Sequence, residues 1–271
     1  MKTFNGLDMK LDHVIQPAIE IMKLTKAYGS TKALDGLNLI VGLGEIYGLL
    51  GPNGSGKTTT IKIISAILKP DSGHIRVLGL DPVQDSILVK ERIGYVPETP
   101  ALYDSLTVRD FFEFVSSVRR LDQVQTNTKI EALAKAFSLE DYFDSPIASL
   151  SLGNKQKVSI ISALLHDPQL LLLDEPLNGL DARSSRILKD IMHHQVEKGG
   201  TVVFSTHIME VAEHICKRVG IIYNGKIVAE GSVRELRRYS DGQETLEEAF
   251  LKLTNEKETL EETMKLLRNT L

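Results

Sequence analysis

The chain has one cysteine, Cys216. That excludes an internal disulfide and fits a reducing compartment. Cys216 lies in a run of helical character, residues 211–219, and reads as a packing residue. No apolar run approaches the ~20 residues that cross a bilayer. Residues 1–16 lack the apolar stretch of a signal peptide, so a cytosolic location is expected. The seven histidines form no metal-ligand spacing. There is no internal repeat and no low-complexity tract. Positive charge is not in excess either. The net charge of −4 removes any general electrostatic pull toward nucleic acid.

What is present suits one α/β domain carrying an inserted subdomain. There are 271 residues, 42% of them apolar, enough for a substantial core. The most informative stretch is Gly51-Pro-Asn-Gly-Ser-Gly-Lys-Thr-Thr59, which fits G-x-x-x-x-G-K-[ST]. An apolar run, residues 46–50, leads in as a buried strand, and a helix-like run, residues 58–64, leads out. Gly51, Gly54 and Gly56 are expected to take backbone angles that other residues avoid. Pro52, Asn53 and Ser55 complete the loop. Its N–H groups and the helix N-terminus suit a β-phosphate. Lys57 would bridge the β- and γ-phosphates, and the Thr58 hydroxyl would hold Mg²⁺.

Taken in order, residues 1–16 read as a loose arm. Strands are expected from Ala18 through Leu24 and around residues 37–41, making a small antiparallel layer before the phosphate loop. Between them Tyr28 offers an aromatic face that could stack on adenine; a surface turn tyrosine fits equally well. Further strands are expected at 75–79 and 92–97, the latter ending at Glu98. From 106 to 143 the pattern turns helical, with Phe111, Phe112, Phe114, Val115, Val118, Ile130, Leu133, Ala134 and Phe137. It leads to Ser149-Leu-Ser-Leu-Gly-Asn-Lys-Gln-Lys157 and an apolar helix through Leu165. Leu170-Leu-Leu-Leu-Asp-Glu175 is an apolar run closing in two acids, the form of a strand buried on both faces. In such sheets ligands bind at the carboxyl ends of strands, which would set Asp174 and Glu175 beside the phosphates. Residues 201–207 repeat the form and deliver His207 to the same edge. Residues 220–229 read as a hairpin turning at Asn224-Gly225.

This order of motifs closely resembles the ATP-binding cassette of ABC transporters. The resemblance covers about residues 19–236. Tyr28 matches the adenine-stacking aromatic, Gly51 to Thr59 the Walker A loop, and Leu170 to Glu175 the Walker B strand with its catalytic glutamate. Ser151, Gly153 and Asn154 match the signature loop, Asn178-Gly-Leu-Asp181 the D-loop, and His207 the switch histidine. Glu98 stands where the family usually has glutamine, and Leu150-Ser-Leu-Gly-Asn154 departs from Leu-Ser-Gly-Gly-Gln. Residues 97–103 and the Ser-Leu-Gly-Asn-Lys-Gln-Lys run look closest to soluble ATPases of bacterial exporters with a separate membrane protein.

The resemblance implies a P-loop NTPase (RecA-like) core with a mainly parallel sheet. A small N-terminal antiparallel β layer and an inserted helical subdomain (about 99–165) would complete the cassette at 17–238. Residues 1–16 form the arm and 239–271 a C-terminal helical extension. It implies ATP and Mg²⁺, the metal held by Thr58, Asp174 and Glu98, with Glu175 activating water and His207 on the γ-phosphate. A second cassette would supply Ser151, Gly153 and Asn154 across that phosphate, with Asp181 at the dimer interface. The partners implied are a polytopic permease and a second ATPase chain, with no nucleic acid. The location implied is cytoplasmic, peripheral on the inner face of the membrane. The alternative is a soluble ABC ATPase acting on ribosome or nucleic acid; it usually carries two cassettes and basic linkers. In the tail, Leu246, Phe250, Leu253, Leu260, Met264, Leu267 and Leu271 follow steps of four and three, with Lys257 at the skipped position. A helix lying on its own domain is expected there ahead of a dimerising coiled coil.

Overall fold

A computed structural model describes residues 17–238 and 245–254. Two sheets organise them. β1 (Ile19–Tyr28), β2 (Thr31–Val41) and β4 (Ser72–Val77) form an antiparallel sheet in the order β2-β1-β4. The expected β layer is therefore present, and the strand that follows the phosphate loop joins it.

The larger sheet has six strands. They are β3 (Ile46–Leu50), β5 (Ile93–Val96), β6 (Leu170–Asp174), β7 (Thr201–Thr206), β8 (Arg218–Tyr223) and β9 (Lys226–Ser232). Their order is β5-β6-β7-β3-β8-β9, parallel except for the β8–β9 hairpin. That hairpin turns at Asn224 (φ 48°) and Gly225 (φ 73°), the paired left-handed geometry of a two-residue turn.

The apolar runs are continuous because both faces of this sheet are covered. Leu50, Leu171, Leu173, Val202, Phe204 and Ile221 face the helical side and join its core. Tyr47, Leu49, Leu170, Leu172, Val203 and Ile222 face the antiparallel sheet and α1 (Lys57–Ile64). Alternate residues serve opposite cores, so these strands are apolar through their middles, and polar residues such as Ser205 and Thr206 appear toward their ends.

The helical side is built from α3 (Val108–Val118), α4 (Gln123–Phe137) and α5 (Leu152–Leu164). Thr107 and Asp110 form a capping box on α3, and Asp122 caps α4. Phe111, Phe112, Ile130, Ala134 and Phe137 are buried, whereas Phe114 and Val118 are exposed. α5 returns the chain to the sheet: a Cβ on Gly94 of β5 would lie 2.4 Å from the Ala163 carbonyl oxygen, so only glycine allows this approach. α2 (Ser86–Arg92), α6 (Ala182–Glu197), α7 (Met209–Ile215) and α8 (Val233–Arg238) complete the layers.

The helical run expected at 211–219 ends early. α7 stops at Ile215, Cys216 is extended, and β8 begins at Arg218. Cys216 is buried as expected, and burial pushes its thiol up. α9 (Leu246–Leu253) starts at the N-cap Thr245 and buries Leu246, Ala249 and Phe250 against its own chain. The rest of the expected stripe, Leu260 through Leu271, lies outside the described residues.

Candidate active site

Strand register assembles the site. Leu50 pairs with Thr206, Asp174 with Ser205, and Val96 with Leu173. The next residues along each chain are Gly51, His207, Glu175 and the Pro97–Glu98 pair, so all emerge at one edge. That is the carboxyl edge of the parallel strands, where open α/β sheets bind ligands.

A cleft of about 360 Å³ opens there. Tyr28, Ala33, Asn53, Gly54, Gly56, Lys57, Thr58, Thr59, Glu98 and Glu175 line it. Tyr28, at the end of β1, is half exposed and forms one wall. Glu98 lies two residues past β5.

The loop glycines have two different reasons to be glycine. Gly54 (φ 80°) and Gly56 (φ 114°) occupy the left-handed region, as expected. Gly51 does not. A Cβ there would sit 2.2 Å from the Ile222 carbonyl oxygen, so Gly51 is required by close approach to β8 rather than by its backbone angles. Ser55 is buried, and its N–H donates to the Pro52 carbonyl.

Lys57 is buried at the start of α1. Its Nζ donates to the carbonyl oxygens of Gly51 (2.8 Å) and Pro52 (3.2 Å). It also lies 3.4 Å from Glu175 Oε1. On the other side His207 Nδ1 stands 3.0 Å from the same oxygen. Neither contact has hydrogen-bond geometry, so Oε1 sits between two cationic or proton-donating groups with its lone pairs uncommitted. Glu175 has φ 46°, a left-handed backbone unusual for a side chain of this size. Such a conformation costs about 1–3 kcal/mol and collects at functional positions. The Glu175 N–H donates to Ser205 Oγ at 3.0 Å, which helps hold it.

Ser205 also donates its hydroxyl to Asp174 Oδ1 at 2.5 Å. It is the functional residue that sequence reasoning missed. The available signal was a polar residue inside an apolar strand, two positions before His207. Asp174 is fully buried, and its Oδ2 has no protein partner. A buried carboxylate oxygen without a donor is costly unless a cation or water serves it. Burial, then the Asp174 and Glu98 carboxylates, push the nearby Tyr95 hydroxyl up. No group of three or more His, Cys, Asp or Glu residues with metal-binding geometry occurs among the described residues. The Thr58 hydroxyl with the Asp174 and Glu98 carboxylates fits Mg²⁺, which keeps waters and substrate oxygens and is bound through one or two carboxylates.

Ser151, Gly153, Asn154 and Asp181 do not line this cleft. They lie together at another point. Ser151 caps α5 and accepts the Asn154 N–H at 3.3 Å. Gly153 approaches the D-loop so closely that a Cβ would be 2.4 Å from the Gly179 carbonyl oxygen. Leu152 projects outward, 60% exposed. Asp181 caps α6, accepts from Ser184 N–H and hydroxyl (both 2.8 Å), and pairs with Lys157 at 3.0 Å. The Ser184 N–H and then Lys157 hold its carboxyl well below the usual range. One chain thus brings together the phosphate loop, Asp174, Glu175, Glu98 and His207, and leaves the signature loop facing outward.

Comparisons with known proteins agree with this geometry. Residues 34–178 match the ABC transporter family. The probable multidrug ABC transporter ATP-binding protein YbhF of Escherichia coli is 38% identical over 245 residues, 89% of this chain and 42% of that protein. The chain therefore spans less than half the length of that relative. The ABC transporter ATP-binding protein NatA of Bacillus subtilis is 36% identical over 222 residues, 81% of this chain and 89% of NatA. A solved ATP-binding subunit of an ABC transporter superposes with a TM-score of 0.82 at 33% identity, covering 88% of this chain and 99% of that one. The ATP-binding cassette MJ0796, solved as a dimer in a post-hydrolysis state with ADP and Pi, gives 0.73 at 26% identity, covering 80% and 99%. With more than half its length matched by the family and the phosphate loop, the two strand-end acids and the histidine meeting at one sheet edge, the chain belongs to the ATP-binding cassette family of ABC transporters.

Proposed function

We propose that the chain binds ATP in the cleft, hydrolyses it, and drives a membrane exporter through a separate permease. The observation that carries the proposal is Glu175 Oε1, buried at the end of β6 with His207 Nδ1 at 3.0 Å and Lys57 Nζ at 3.4 Å. The loop amides and Lys57 bind the phosphates, and Tyr28 supports the base. Thr58, Asp174 and Glu98 are the residues suited to hold Mg²⁺, which when bound neutralises phosphate charge. Glu175 takes the proton of the attacking water, and His207 contacts the γ-phosphate. Ser151 and Gly153 serve the nucleotide of a second cassette, because they face away from their own cleft.

For the permease, an apolar groove of about 340 Å³ is the surface of choice. Ile67, Tyr95, Phe114, Val118 and Arg119 line it, next to the exposed Tyr103. It joins β5 to the helical side, where pressure from a partner can tilt one against the other. Cysteines near Leu102 should crosslink to cytosolic loops of the permease; failure at several positions in an intact complex would count against this surface. Relatives named for Nod factor export, daunorubicin resistance and multidrug transport support the exporter direction. Among the described residues no helix is long and apolar enough to cross a membrane.

The test of the catalytic assignment is Glu175→Gln. Hydrolysis should fall roughly 10²-fold or more, the usual loss for a general base, while ATP binding survives. Normal turnover in that variant would refute the assignment.

A further inference from the structure

The backbone of His207 is fixed by the sheet only as far as Thr206. Beyond it the chain makes one local bond, Ile208 N–H to Thr206 Oγ1 at 3.0 Å, and enters α7 at Met209. His207 is 44% exposed at its side chain, and its ion-pair contact is Glu175. Its direction therefore depends on where α7 starts. α7 has seven residues, too few to be stable without tertiary support.

Part of that support is the sheet, against which Ala212 and Ile215 are buried in the main core; the other part comes from the C-terminal end of the chain. Glu213, near the middle of α7, has a side chain only 8% exposed. Its Oε1 accepts the Leu246 N–H, the first of α9, at 2.6 Å. Its Oε2 accepts from Arg237 of α8 at 2.5 Å, and Arg237 Nε reaches Oε1 at 3.4 Å. Burial pushes the Glu213 carboxyl up, but Arg237 and the Leu246 N–H hold it below its ordinary value. One buried carboxylate thus joins three helices. Phe250 of α9 packs edge-on against Tyr223 of β8, with ring centroids 6.2 Å apart, which fixes the middle of α9 to the sheet.

α9 also borders the active site. A cleft of about 370 Å³ has Gly51, Pro52 and residues 207–210 on one side and Glu247, Phe250 and Leu251 on the other. The extension helix is therefore the wall opposite the segment that carries His207.

We propose that Glu213, by clamping α7 to α8 and α9, is a positioning residue that holds His207 on Glu175. This rests on the catalytic reading given above. Cutting the clamp leaves α7 held by the sheet alone and loosens the helix that follows His207, without touching Lys57, Thr58 or Asp174. The phosphate contact at His207 is then misplaced while nucleotide binding is intact. A misplacement of this kind costs up to ~10²-fold in rate.

The experiment is a double-mutant cycle on the full chain. Glu213→Ala should lower kcat for ATP by about tenfold, within that range, with KM and ATP affinity within about twofold of wild type. In a His207→Ala background the same change should have no further effect on kcat, because the group it positions is gone. A purely structural role would lower kcat by the same factor in both backgrounds, and that result, or an unchanged kcat, overturns the proposal. If Glu213→Ala does not fold, Glu213→Gln is read by the same criterion. It keeps an acceptor for the Leu246 N–H and loses the charge facing Arg237. Failure of the underlying catalytic reading looks different: Glu175→Gln would then hydrolyse ATP normally, whereas here Glu175 dependence persists and only the coupling to His207 is missing.

Discussion

The phosphate-loop cleft and the signature loop are both expected to touch ATP, yet they are built in opposite ways. In the cleft the functional groups are buried and strained: Asp174 is fully enclosed, Glu175 has a left-handed backbone, and Lys57 is buried beside it. In the signature loop the polar groups are near the surface and already satisfied. Ser151 caps its own helix, and Asp181 caps α6 while pairing with Lys157. The first region is preorganised to act on a ligand within one chain. The second is an outward face that does not line the cleft of its own chain. On the function proposed here, a single cassette holds one binding half and one lid, and a second copy or a related chain makes them meet.

Breaking the cleft should have the largest effect. Lys57→Ala removes the buried cation proposed to bind the phosphates, and charge-assisted bonds of this type are the strong ones. ATP binding should weaken greatly and hydrolysis should be lost, as read by nucleotide titration and phosphate release. Unchanged turnover would sink the phosphate-loop assignment.

Changes on the signature side should leave ATP binding by the isolated chain alone. Gly153→Ala places a Cβ 2.4 Å from the Gly179 carbonyl oxygen, and backbone cannot yield cheaply. Overpacking of that kind costs about 1–3 kcal/mol. Thermal unfolding should shift down, and ATP-dependent pairing of cassettes should weaken more than ATP affinity does. Leu152→Gly sharpens the contrast further. Leu152 is exposed but opens α5, so monomer stability should fall by no more than about 1 kcal/mol, from glycine's low helix propensity. Loss of its bulk at the outward face should strengthen ATP-dependent dimerisation, measured by sedimentation.

At neutral pH the smallest effect lies away from both regions. His166 Nε2 contacts the Ile93 carbonyl oxygen at 2.8 Å. Burial, then Arg119, lower its pKa to about 4. The unfolded chain binds a proton near pH 6.5 that the folded chain refuses, so folding stability should fall as pH drops from about 6.5 toward 4. In His166→Gln that part of the slope in melting temperature against pH should be missing.

The cleft was legible in the sequence because its residues are contiguous or end apolar runs. Residues 51–59 state the phosphate loop outright. Leu170 through Glu175 and Thr201 through His207 announce strand ends by switching from apolar to polar. What could not be read depends on register between distant segments. Ser205 serves Asp174 across 31 positions, and nothing local to it says so. Gly51 is glycine because of Ile222, far along the chain. Ser72–Val77 carries no mark that its partner is β1 rather than the main sheet. α2 buries little beyond Val89, and α6 is mostly polar, so neither gives a firm periodic signal. The end of α7 was misplaced because Cys216 and Val219 continue an apolar pattern that serves β8 instead. For the tail, Leu246 and Phe250 fit both a coiled coil and a helix on its own domain. Packing on Tyr223 decides for the latter over the residues described.

On the proposed function, the complete half-site of one cassette and the outward lid of another need each other. Size-exclusion chromatography of Glu175→Gln tests it most directly. With hydrolysis blocked and binding intact, Mg-ATP should move the protein from monomer to dimer, ADP should not, and the wild type should remain mainly monomeric. A variant that binds ATP, does not hydrolyse it and stays monomeric at every concentration would contradict the claim for two copies of this chain.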